Sequence, residues 1–127
     1  MTLEDDPSPR TSRWADPRAV GTDPDYRFTL ANERTFLAWI RTSLALAAAG
    51  LGAISLLEDF YGKEALGLVL LGLSFATSAT SYRRWAANER ALRLGERLPV
   101  SRLPMMLAVG TALFAVAAAV LFAIGEL

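Results

Sequence analysis

The sequence predicts an all-α, three-helix transmembrane domain with its N-terminus in the cytoplasm and its C-terminus outside. Three observations predict it. The apolar residues gather into three blocks, 35–57, 65–82 and 103–125, of 23, 18 and 23 residues. The second and third blocks carry no charge, and the first carries only Arg41. The segments flanking the blocks alternate between rich and poor in arginine. A bilayer core needs roughly 20 apolar residues as helix, with a range of about 17–25, and all three blocks fit. Soluble helices alternate apolar and charged faces instead.

Residues 1–27 precede the blocks and read as a disordered cytoplasmic tail. They hold Pro7, Pro9, Pro17 and Pro24 among charges of both signs, too little apolar surface to offset the entropy of ordering. Glu4, Asp5 and Asp6 stand where a signal peptide would be basic, and no apolar run follows. Residues 28–127 form the membrane domain.

Sidedness follows from the basic residues. Arg10, Arg13, Arg18, Arg27 and Arg34 precede the first span. Segment 58–64 has one lysine against three acids, and segment 83–102 has six arginines. The positive-inside rule puts the N-terminus and 83–102 in the cytoplasm. Phe60 and Tyr61 at the outer edge, and Tyr82 and Trp85 at the inner, suit interfacial anchors. The segment after Tyr82 reads as a continuation of the second helix beyond the membrane, ended by Gly95.

Composition excludes several functions. Thirteen basic residues balance thirteen acidic ones, and there is no Cys or His. A disulfide framework, a Cys/His zinc site, a histidine base and a cysteine nucleophile are all ruled out. There is no P-loop and no GxGxxG, and no span carries an acid suited to a proton or cation relay. The expectation is a protein that is not an enzyme, binds no metal or cofactor, and has no nucleic-acid partner.

The informative segment is LANERTFLAWIRTS, 30–43. At 100° per residue, Arg34, Arg41, Ala45, Ala48 and Gly52 fall within about 60° of one another, with Phe36, Ile40 and Ile54 opposite. Small residues along one face suit helix packing. Two arginines on the same line suit an anion path instead, which three helices cannot enclose without forming an oligomer. Snorkelling of Arg41 to the headgroups is the plainer alternative. Asn32 is placed to cap the first helix, and Glu33 to favour its first turn or to hold an arginine. In the second span Ser74 and Ser78 are expected to bond within the helix or across to a neighbour. Arg83, Arg84 and Arg90 form a basic collar suited to anionic lipid or to a polyanion. The tetrapeptide ANER occurs twice, at 31–34 and 87–90.

The run FTLANERTFLAWIRTSLALAAAGLG, with the later YRRWAANERALRLGERLP, resembles the small three-span proteins of domain-of-unknown-function family 202, to which YidH-like bacterial inner-membrane proteins belong. The likeness covers about residues 26–125. It implies a multi-pass protein of the cell (inner) membrane. The same module resembles the membrane domain of the eukaryotic vacuolar transporter chaperone complex, which makes polyphosphate and moves it across a membrane. By that resemblance, a basic role at the mouth of the first span falls on Arg34, and loop roles on Arg83, Arg84 and Arg90. Arg41 rests on helix geometry alone. The resemblance implies a membrane module, not the synthesis of polyphosphate.

Two functions are thus expected. One is an oligomeric subunit whose cytoplasmic mouth binds or conducts a polyanion such as polyphosphate. The other is a structural or chaperone-like subunit packed against a larger membrane protein, its arginines serving topology and lipid contact.

Overall fold

A computed structural model describes residues 16–126. Three helices account for most of them: α1, Tyr26–Leu56; α2, Lys63–Leu94; and α3, Leu103–Gly125. No strand occurs among the described residues.

Asp25 starts α1. Its carboxylate accepts from the Arg27 amide at 3.0 Å, satisfying one of the free donors of the first turn. The helix therefore begins nine residues before the apolar block, and Asn32 does not cap it. A cap needs free amides, and at Asn32 the helical ladder is already running. α2 ends at Gly95, whose φ of 66° is the left-handed conformation open to glycine. The Gly95 and Glu96 amides fold back to the carbonyls of Leu92 and Ala91, satisfying the last turn. α3 starts with Pro104 in its first turn, while Ser101 Oγ accepts from the Leu103 amide at 3.2 Å.

α2 lies between the other two helices, and α1 and α3 do not touch. The α1–α2 hairpin is antiparallel, with Ser43 against Ser74 and Gly50 against Gly67. Its contact is made by small and hydroxyl side chains. Ser43 Oγ donates to the Ser74 carbonyl at 2.8 Å, and Ser74 Oγ donates to the Ser43 carbonyl at 2.7 Å. A Cβ on Gly50 would stand 2.9 Å from the Gly67 carbonyl oxygen. Close backbone approach of this kind holds helices together where lipid removes the hydrophobic drive between them. Most large apolar side chains point outward instead; Leu44, Leu51, Leu68, Phe75, Leu113 and Phe122 are all exposed in the single chain.

With 31 and 32 residues, α1 and α2 are each about 47 Å long, against a hydrocarbon core of about 30 Å. The short connection 57–62 holds one pair of ends level. The excess length therefore projects at the other end, which carries the arginines.

The expected tail 1–27 differs where it is described; residues 1–15 lie outside the described part. Pro17–Ala19 form a 3₁₀ turn packed on α2, with Pro17 buried. Arg93 Nε donates to the Val20 carbonyl, and Arg93 Nη1 pairs with Asp23, both at 2.8 Å. The Thr22 amide donates to the Arg93 carbonyl at 3.2 Å. Arg93 thus supplies, from α2, the partners that a Pro-rich segment lacks by itself.

Candidate functional site

α1 has two faces of different character. Toward α2 it presents Asn32, Trp39, Ser43 and Gly50, which recur at helical spacing. Asn32, Ser43 and Gly50 are the buried residues of the helix. On the opposite side lie Arg34, Arg41, Ala45, Ala48 and Gly52. Arg34, Arg41, Ala45 and Ala48 are exposed, and Gly52 is half-buried. The small-residue stripe therefore does not pack against α2. A Cβ on Gly52 would meet only Leu56 Cδ1 of its own helix, at 4.0 Å. Ser74 does serve the α1–α2 contact, and Ser78 is half-buried beside it.

The five candidate arginines do not converge within one chain. Arg34 and Arg41 point away from α2 on α1's outer face. Arg84 stands at the α1–α2 seam, its guanidinium 5.7 Å from the Trp39 ring centroid. Such a cation–π contact is worth about 0.5–2 kcal/mol, more as water is excluded. Arg84 Nη1 is buried without a hydrogen-bond partner. Arg83 and Arg90 lie on the side of α2 facing away from α1; Arg83 is exposed and Arg90 half-buried. Among the described residues, none of the five forms an ion pair; the two ion pairs are Arg93 with Asp23 and Arg18 with Glu33. Glu33 thus holds an arginine, loosely, at 3.9 Å.

A polar seam joins the arginine-rich ends of α1 and α2. Asn32 Nδ2 donates to the Trp85 carbonyl at 3.1 Å, and Asn88 Nδ2 donates to Asn32 Oδ1 at 3.3 Å. Trp85 packs against Phe36 and Tyr82 and carries the Arg18 guanidinium over its ring at 5.7 Å. Beside this seam Glu89 is 2% exposed, with Oε2 lacking a hydrogen bond. Asn88, Glu89, Ser43 and Trp39 are site-forming residues that residue-type reasoning passed over. The ANER repeat was the one signal for Asn88 and Glu89, since it placed the same polar pair on both helices.

These features define an integral membrane protein: three helices long and apolar enough to span a bilayer, joined by hydroxyl and glycine contacts, with a protruding basic end. Residues 27–91 match the model of the family described as Domain of unknown function (DUF202), and the chain belongs to that family. It is 52% identical over 83 residues to the inner membrane protein YidH of Escherichia coli K12, covering 63% of this chain and 72% of that protein. It is 44% identical over 103 residues to the uncharacterized protein Rv2272 of Mycobacterium tuberculosis H37Rv, covering 79% and 84% of the two chains. No solved structure matches. The chain is a multi-pass protein of the inner membrane, of the YidH type.

Proposed function

We propose that the chain is a non-enzymatic subunit of a membrane homo-oligomer whose arginine-rich end, in the cytoplasm, binds a polyanion such as polyphosphate. The observation that carries this reading is the placement of Arg34 and Arg41 on the face of α1 turned away from α2, both exposed and without an ion pair among the described residues. Arg41 lies about 9 Å along the helix from Thr35. An arginine costs about 2.5–3.5 kcal/mol at mid-bilayer by insertion scales and less toward the interface, so this position still favours water, protein or a bound anion over lipid tails. Copies arranged about a common axis with α1 innermost would bring several Arg34 and Arg41 side chains together beneath the narrow Ala45 and Ala48 stripe. Rings of arginine suit anionic ligands. Polyphosphate enters only through the resemblance of the NERTF motif to the eukaryotic module.

The cytoplasmic placement rests on the positive-inside rule. The test is polyphosphate binding to the purified protein in nanodiscs, compared with Arg41→Ala. The reading requires weaker binding by a variant that keeps its helical spectrum, and unchanged binding would remove Arg41 from the site.

A second reading has its own observation. α3 buries only Leu103 fully and meets α2 alone, which leaves both outer helices available to a larger membrane partner. One stoichiometric membrane protein co-purifying with the chain would favour a packing or chaperone-like subunit.

A further inference from the structure

The α2–α3 contact is looser than the α1–α2 contact and opens into a groove of about 640 Å³, within the range of about 300–1,000 Å³ typical of ligand sites. Its walls are apolar, with Val69, Leu73 and Ala76 from α2 facing Met105, Met106 and Val109 from α3. Gly72 forms an unfilled stretch of wall, since a Cβ built there meets nothing within 4 Å. Gly110 narrows the far end, where its Cβ would stand 3.0 Å from Leu73 Cδ1. At the other end a single charged residue lines the groove, Arg102, which is exposed.

The polarity along this groove is that of an amphiphile with one anionic head. From Arg102 to Gly110 α3 rises about 12 Å, enough for much of one acyl chain. The α2–α3 pairs Leu73 with Gly110 and Gly62 with Leu121 set an antiparallel register. By that register Arg102 stands level with the turn of α2 just before Arg83. Arg83 lies on the same side of α2 as Gly72 and Ala76, so the groove opens toward two arginines at the membrane edge.

We infer that the α2–α3 groove is a binding site for one anionic glycerophospholipid, with an acyl chain against Gly72 and the phosphate on Arg102. The site is independent of Arg34 and Arg41, so the polyanion reading and this one can fail separately.

The experiment titrates phosphatidylglycerol, and phosphatidylcholine of the same chains, onto delipidated full-length protein by native mass spectrometry. The expected result is one phosphatidylglycerol per chain retained in preference to phosphatidylcholine. Gly72→Leu, whose Cβ meets nothing within 4 Å and whose side chain would occupy the groove, should weaken that binding at least about tenfold. Arg102→Gln should abolish the preference for phosphatidylglycerol while leaving chain-dependent binding of both lipids. Inorganic phosphate in millimolar excess should not compete, since the acyl chain supplies much of the affinity. Undiminished phosphatidylglycerol binding by Gly72→Leu, measured on a variant with unchanged helical spectrum, would overturn the proposal. So would displacement by inorganic phosphate, or a change in oligomer mass without a change in lipid binding, which would mean that a second copy fills the groove.

Discussion

The side-chain amide of Asn88 donates to Oδ1 of Asn32 at 3.3 Å, joining the two copies of ANER across the α1–α2 hairpin. Asn32 passes the connection on to the Trp85 carbonyl at 3.1 Å. The repeated tetrapeptide thus contributes one asparagine from each antiparallel helix to a single polar contact. Arg34, from the first copy, is left exposed.

Asn32→Ala should destabilise the hairpin by about 1 kcal/mol, since interhelical polar contacts in membranes average about 0.6 and reach about 1.7 kcal/mol. Asn88→Ala should cost less, because the Asn32 to Trp85 bond survives it. A double-mutant cycle measured by reversible unfolding in mixed micelles should give a coupling of about 0.5 kcal/mol or more. Strict additivity would mean that the two amides do not interact.

Gly67 should tolerate no side chain. A Cβ there would overlap the Ile54 side chain and stand 2.8 Å from the Gly50 carbonyl oxygen. Gly67→Ala is expected to cost about 1–3 kcal/mol, as overpacking does. Gly52→Ala, on the outer face of α1, should be neutral or slightly stabilising for the isolated chain, since alanine is the better helix former. Thermal unfolding in detergent separates the two, and equal effects would contradict the assignment of faces.

The membrane-spanning core was legible in the sequence, because block length and absence of charge report directly on a bilayer. The bounds of α3 coincide with the apolar block at 103–125, and α2 stops at Gly95 as its left-handed conformation requires. The start of α1 was less legible. Hydropathy cannot register the polar turns between Tyr26 and Arg34, which are helical because Asp25 caps them and α2 packs beside them. The stripe of Ala45, Ala48 and Gly52 illustrates a second limit. Small residues mark a face fit for packing, but the partner of α2 is chosen by Ser43 and Gly50, whose hydroxyl and bare backbone meet Ser74 and Gly67. The candidate arginines were individually visible, but their divergence within one chain follows from helix pairing that residue spacing alone does not give.

Arg93→Ala should free residues 16–25 from α2. It removes the bonds to Val20 and Asp23. The Asp23 side chain is 91% exposed, so that ion pair contributes little by itself. The expected readout is faster hydrogen exchange at the Thr22 amide, and quicker tryptic cleavage after Arg18, without loss of helix. Arg93→Lys should rescue only in part, since an ammonium lacks the planar fork that reaches both partners. Unchanged exchange in Arg93→Ala would show that the contacts it leaves intact, Pro17 packing, the Thr22 backbone bond and Arg18 against Glu33 and Trp85, hold the segment without the Arg93 side chain.

Ser43→Ala with Ser74→Ala should lower stability by about 1–2 kcal/mol while preserving the close helix approach. Ser43→Leu should cost more, because it adds volume where the helices meet. A milder effect from leucine than from alanine, read from unfolding midpoints, would contradict the packing described for this pair.

The claim at the centre of the account is that the outward arginines of α1 form an anion site. Its most direct test is the salt dependence of polyphosphate binding to the protein in nanodiscs, set beside an Arg34→Ala, Arg41→Ala double variant. Screening shortens the reach of charge as salt rises, to a Debye length of about 8 Å at 0.15 M. The account predicts binding that weakens steeply with salt in the native chain, and is lost in the double variant while Gly52→Ala keeps it. Binding of equal strength and salt slope in the double variant would contradict it.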